Sequence, residues 1–130
     1  MLKDLNIVEF ADETASNSPA PGGGSIAALN ASMAASLLAM VAGLTIGKKK
    51  YMDVSDRMEE LQAELLKYKD AFVDGIDKDA NSFNGVIDAF KLPKSTDEEK
   101  AARSAKIQEE YKNAANVPFT VGMKAVELID

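Results

Sequence analysis

Between Thr14 and Gly47 the chain carries no charged residue. A stretch of that length has to hide its apolar surface, in a protein core or in lipid, and the rest of the chain must fold around that need. Its first part, Thr14 to Gly23, is rich in Ser, Pro, Asn and Gly and predicts a loop. From Gly24 or Ser25 to about Lys50 the pattern predicts one helix. Small residues recur at Ala27, Ala28, Ala31, Ala35, Ala39, Ala42 and Gly43, with Leu29, Met33, Leu37, Met40 and Leu44 among them. Apolar groups occupy nearly the whole circumference, which predicts burial on all sides. Lys48, Lys49 and Lys50 flank one end, as they would a membrane span. Asn30, Ser32, Ser36 and the weak hydrophobicity of Ala and Gly favour a buried helix of a soluble protein instead. A chain of 130 residues has little interior in which to enclose such a helix, so a homodimer core is expected.

The other segments also predict helices. A short one covers about Leu2 to Glu13, and a charged, amphipathic one runs from about Val54 to Phe90. The last begins after Leu92-Pro93-Lys94. There Ser95 and Thr96 precede Glu98 and Glu99 by three residues, a capping-box signature. It reaches Asp130, and Pro118 removes one backbone donor and predicts a kink. The expected fold is all-α. Residues 1–130 form a single domain, a bundle of long helices around a buried Ala-rich helix, completed by dimerisation. The pattern stops on Ala125, Val126, Leu128 and Ile129 without a cap, so further C-terminal helices are expected to be missing.

Three absences narrow the chemistry. Without Cys or His there is no thiolate or imidazole metal site, no cysteine nucleophile and no Ser-His triad, so no metal is expected. Proton transfer would fall to Asp, Glu, Lys or Tyr. The net charge of -6 disfavours nucleic acid as a partner. Asp4, Glu9 and Asp12 interrupt the first apolar residues, unlike a secretory signal, and the lack of Cys fits a cytoplasmic protein.

Four features could carry function. Pro21-Gly22-Gly23-Gly24-Ser25 lies directly before the Ala-rich helix. Free N–H groups at a helix start suit an anion or a polar ligand edge, and glycines allow close approach. A tight turn with a Ser cap, or a close helix crossing, explains the same residues. Gly43-Leu44-Thr45-Ile46-Gly47-Lys48-Lys49-Lys50 lacks the spacing of a phosphate loop. It reads as a basic helix end whose lysines could hold an anionic tail. In Asp77-Lys78-Asp79, helical periodicity puts Asp79 on the apolar face of Phe72, Ile76, Phe83, Val86 and Phe90. Asp77 falls nearer the polar side. Asp79 there is a candidate acid or base, or else a structural partner of a neighbouring helix. Lys91, Lys94, Arg103 and Lys106 form a basic set that is either surface or a carboxylate clamp.

In this order the pieces resemble the cyclodeaminase and methenyltetrahydrofolate cyclohydrolase family. The residues that carry the resemblance are Pro19 to Ser25 with Ala27-Ala28, Gly47 to Tyr51, and Ile76 to Phe83. Lys91 to Lys94 with Thr96, Glu98 to Arg103, Ile107-Gln108 and Val117-Pro118 complete it. The resemblance implies an all-helical homodimer that binds a tetrahydrofolate derivative as substrate. It implies a catalytic aspartate at Asp79, with Asp77 as second choice. It assigns Gly22, Gly23, Gly24 and Ser25, with Lys48, Lys49, Lys94 and Arg103, to the folate site. The expected reaction is hydrolysis of 5,10-methenyltetrahydrofolate to 10-formyltetrahydrofolate. The alternatives are a formiminotetrahydrofolate cyclodeaminase that releases ammonia, and, from another class, a non-catalytic helical dimerisation module.

Overall fold

A computed structural model describes all residues from Met1 to Asp130. Four α-helices follow one another: α1 (Ile7–Ala15), α2 (Gly23–Thr45), α3 (Ser55–Phe90) and α4 (Asp97–Ile129). Two short 3-10 helices, Leu2–Asp4 and Lys49–Val54, precede α1 and α3. The expected first helix is therefore split, because Asn6 caps α1. Its side chain accepts the Glu9 N–H at 2.9 Å, and Glu9 returns a bond to the Asn6 N–H at 3.1 Å. The Ala-rich helix starts at Gly23 and ends at Thr45, short of the expected Lys50. Gly47 turns the chain with φ of 74°, and its N–H donates to Ser55 Oγ at 3.0 Å. At Thr96 the predicted capping box forms with Glu99, and α4 runs on through Pro118.

A stripe of small side chains joins α2 to α3. Ser25, Ala28, Ser32, Ala35, Ala39 and Ala42 are the buried residues of α2, spaced alternately by three and four. Against them α3 buries Leu65, Phe72, Gly75, Ile76 and Ala80. The helices run antiparallel. Ser25 bonds Ile76, a Cβ on Gly75 would touch the Ala28 methyl, and Gln62 donates to the Ala39 carbonyl at 3.3 Å. The buried hydroxyl of Ser32 turns back to the Leu29 carbonyl of its own helix at 2.7 Å and needs no partner across the interface.

The Ala-rich helix is buried on one face, and its all-round burial is expected only with a second copy. Within one chain only the small-residue stripe is covered. Met33, Leu37, Leu38, Met40, Val41 and Leu44 point outward, Leu37 with 59% of its surface exposed. By length and composition α2 could also cross a bilayer, a property that core helices share. Phe83 and Phe90, expected on the core face of α3, are exposed as well, at 41% and 47%.

Helix α4 packs antiparallel on α3, with Ile107 buried and Val121 against Gly75. Tyr68 donates to Glu127 at 3.1 Å, and the Glu110 carboxylate lies on Gly85. Hydrogen bonds to Glu110 and Glu109 push the Lys106 pKa up to about 12. The bond from Lys106, and then that from Asn113, hold Glu110 below the usual glutamate value.

Two measurements follow. Thr96→Ala removes a cap and should lower stability by about 1 kcal/mol in urea unfolding. Glu110→Gln should destabilise only while Glu110 is ionised. A depressed carboxylate pKa stabilises above its unfolded value and loses that contribution as pH falls through the folded value. The gap between wild type and variant should therefore close in acid, below the ordinary glutamate range. A gap unchanged there would refute the Lys106–Glu110 contribution.

Candidate active site

The start of α2 crosses the middle of α3 at the Gly-rich turn. Gly22 is the N-cap and offers no side chain, and the first intrahelical bond runs from the Ile26 N–H to the Gly22 carbonyl. The N–H groups of Gly23, Gly24 and Ser25 are thus the free donors of a helix N-terminus. Asp79 of α3 meets this end. A Cβ built on Gly24 would fall inside the Asp79 carboxylate. Glycine here is a requirement of close approach rather than of backbone angle. The helix start and its dipole favour a negative charge at that point.

Ser25 is fully buried and lies between the two helices. Its Oγ is 2.8 Å from the Ile76 carbonyl and 3.2 Å from Asp79 Oδ2. One hydroxyl has one proton. It can donate to an ionised Asp79, or donate to Ile76 and accept from a protonated Asp79. The site therefore serves both protonation states without moving a heavy atom. Ser25 is no helix cap; of the readings of the Gly-rich turn, the close helix crossing is the one formed.

A cavity of about 360 Å³ opens over this crossing. Pro19, Ala20 and Gly22 to Gly24 line one side, Asp79, Ser82 and Phe83 the other, and Ala114 of α4 closes it. It offers free backbone donors, one carboxylate and an aromatic face. Such a set can bind a planar, partly polar molecule and move a proton on it.

Comparison with known proteins gives the family. The family model described as formiminotransferase-cyclodeaminase matches residues 6–130. The chain belongs to the formiminotransferase-cyclodeaminase family. It is 44% identical over its whole length to a protein of Methylorubrum extorquens named methenyltetrahydrofolate cyclohydrolase, of which it covers 62%. It is 36% identical over 92% of its length to the formimidoyltransferase-cyclodeaminase of Gallus gallus, covering 22% of that protein. The crystal structure of formiminotetrahydrofolate cyclodeaminase from Thermotoga maritima superposes with a TM-score of 0.80 at 31% identity. That match covers 95% of this chain and 58% of the other. The chain thus spans less than two thirds of these relatives.

Of the residues expected at the folate site of this family, the fold brings together Gly22, Gly23, Gly24, Ser25 and Asp79. It does not bring the basic residues there within one chain. Lys48 and Lys49 are exposed beyond the far end of α2, roughly 35 Å along the helix. Lys94 is exposed between α3 and α4. Arg103 donates through Nε and Nη2 to the Phe90 carbonyl at 3.2 and 3.1 Å, with its guanidinium over the Phe90 ring. It completes the C-terminal end of α3. Lys91 pairs with Asp88, and Lys106 with Glu109 and Glu110.

Asp77 is corrected. It is buried, only 9% exposed, instead of facing the polar side. The residues before α1 cover it, and the Leu2 N–H donates to its Oδ1 at 2.7 Å. Nothing in the local period of α3 signals that cover, which comes from the other end of the chain. Ser82, Phe83 and Ala114 line the cavity without having been expected there. Ala114 was beyond reach of motif reasoning, because only the packing of α4 puts it opposite Asp79.

Gly24→Ala tests the crossing. Alanine favours a helix over glycine by about 1 kcal/mol, so unfolding should change little. The new methyl would displace the Asp79 carboxylate. Any activity of the site should fall on the order of 10²-fold. Retained activity with an unshifted melting temperature would refute the close approach.

Proposed function

We propose that the chain is the catalytic part of a folate-dependent one-carbon enzyme that hydrolyses 5,10-methenyltetrahydrofolate to 10-formyltetrahydrofolate. The observation that carries this reading is the Asp79 carboxylate, held by Ser25 at the free N-terminus of α2 in the wall of a cavity. The full-length match to the Methylorubrum cyclohydrolase supports the choice of reaction. Cyclodeamination of formiminotetrahydrofolate, with release of ammonia, is the second reading, supported by the Thermotoga and Gallus relatives.

In the hydrolysis, water attacks the carbon bridging N5 and N10 while Asp79 takes one of its protons. The bond to N5 then breaks as the hydroxyl becomes the formyl carbonyl. Asp79 returns its proton to N5, and the hydroxyl proton leaves to solvent. Water is consumed and one proton is released. An ionised Asp79 also lies beside the cationic amidinium and stabilises it. Ser25 matches each state of the carboxyl group, as its two contacts allow.

The same proposal includes a homodimer in the cytoplasm. Outward-facing Met33, Leu37, Met40, Val41 and Leu44 give a second copy an apolar face of α2 to cover. Pairing about a two-fold axis perpendicular to α2 would run the helices antiparallel. Lys48 and Lys49 of one copy would then approach Gly22 to Ser25 of the other, where an anionic substrate tail needs a cation.

Loss of methenyltetrahydrofolate absorbance measures the reaction. Asp79→Asn should lower kcat by about 10²–10⁴-fold with the helical circular dichroism unchanged. Unchanged turnover would sink the Asp79 assignment. If the full protein turns over neither substrate, a non-catalytic helical dimerisation module is the better description. Met40→Glu should convert a dimer to a monomer in sedimentation and raise KM. A wild-type protein that sediments as a monomer would remove the dimer.

A further inference from the structure

A second cavity, of about 470 Å³, adjoins that of Asp79, and both have Ala20 and Ala80 in their walls. Its polar lining is Glu13, Ser18, Asp77, Asn81 and Asn84. Asp77 is the residue the proposed reaction leaves unused. Its Oδ1 accepts one backbone N–H, from Leu2. Its Oδ2 is sealed from solvent and has no donor at all. An ionised carboxylate accepts up to about four hydrogen bonds, and a buried one left short is destabilising. The nearest lysine of the covering segment does not supply the donor. Lys3 bonds Asp74 instead, at 2.7 Å. Holding one N–H needs no charge, since an asparagine oxygen would do the same.

We propose that Asp77 reads the donor edge of the substrate's bicyclic ring and that this cavity takes the tetrahydropterin end of the folate. The inference rests on the folate reading above. A tetrahydropterin presents an exocyclic amino group and a ring N–H side by side, followed by a carbonyl. The Asp77 carboxylate matches the paired donors, and the carboxamides of Asn81 and Asn84 can donate to the carbonyl. Asp77 and Asp79 project about 200° apart around α3. The ligand therefore passes across Ala80 and beneath Ala20, whose side chains are single methyl groups, and brings its one-carbon unit to Asp79. Met1, Leu2 and Leu5 form the outer wall over Asp77. The Leu2–Asp77 bond and the Lys3–Asp74 pair hold that wall in place. Ring donors replace the Leu2 N–H as it shifts.

The test uses the full protein and two probes, 6-methyltetrahydropterin and its analogue without the 2-amino group. By nuclear magnetic resonance the first should shift the Leu2 amide and the side-chain amides of Asn81 and Asn84. The analogue should bind wild type about 10- to 100-fold more weakly, as expected where a buried acceptor loses its donor. In Asp77→Asn the amino-bearing probe should weaken by a similar factor, and the preference over the analogue should disappear. A purely structural Asp77 would not alter that preference. Equal affinity of wild type for both probes overturns the inference, as do shifts confined to Gly22–Ser25 and Ser82. If Asp77→Asn does not fold, the two probes on wild type decide alone. Wild type that hydrolyses methenyltetrahydrofolate yet fails these tests removes only the ring site. Wild type that binds neither probe and turns over neither substrate removes both readings.

Discussion

The structure depends on how closely α2 can approach α3. Helix axes come near each other only when the residues between them are small. The stripe from Ser25 to Ala42 supplies such residues at every contact, and Gly75 supplies one from the other side. At the N-terminal end of the stripe Gly24 leaves room for a carboxylate where any other residue would place its Cβ. The geometry around Asp79 is therefore a consequence of core packing. A larger residue along the stripe would separate the helices and also withdraw Ser25 from Asp79.

Electrostatics at the crossing follows from the same contact. A helix N-terminus carries partial positive charge and unsatisfied N–H groups. Asp79 lies against it, and Ser25 adds one adjustable proton. The carboxylate is thus held near its neutralising dipole without a salt bridge.

Much of this was legible in the sequence because helices obey local rules. Thr96 with Glu99, the end of α3 at Phe90, and the position of the Ala-rich helix all follow from caps and periodicity within a few residues. The placing of Asp79 on a face of α3 that meets another helix was legible for the same reason. The basic residues were not, because charge says nothing about distance. Arg103 looks like a carboxylate clamp in sequence and is a cap for α3 in the fold. Burial of Asp77 depends on residues at Met1 to Leu5, more than seventy positions away, and no period within α3 could report it. The cavity wall at Ala114 is hidden for the same reason.

The exposed face of α2 shows what circumferential hydrophobicity means within one chain. An apolar circumference predicts burial all round only if the protein has enough other surface to provide it. Here α3 and α4 cover the small face, and the large residues Met33, Leu37, Met40 and Leu44 remain outside. The two faces differ in a way that periodicity shows once sizes are separated. Alanine and serine face the partner that must come close, while leucine and methionine face outward. Close packing within the chain needs small residues, whereas association between surfaces gains from large apolar area. A helix sorted in this way has one face for close packing, which places Ser25 beside Asp79, and one whose large apolar side chains lie outside the chain's own core.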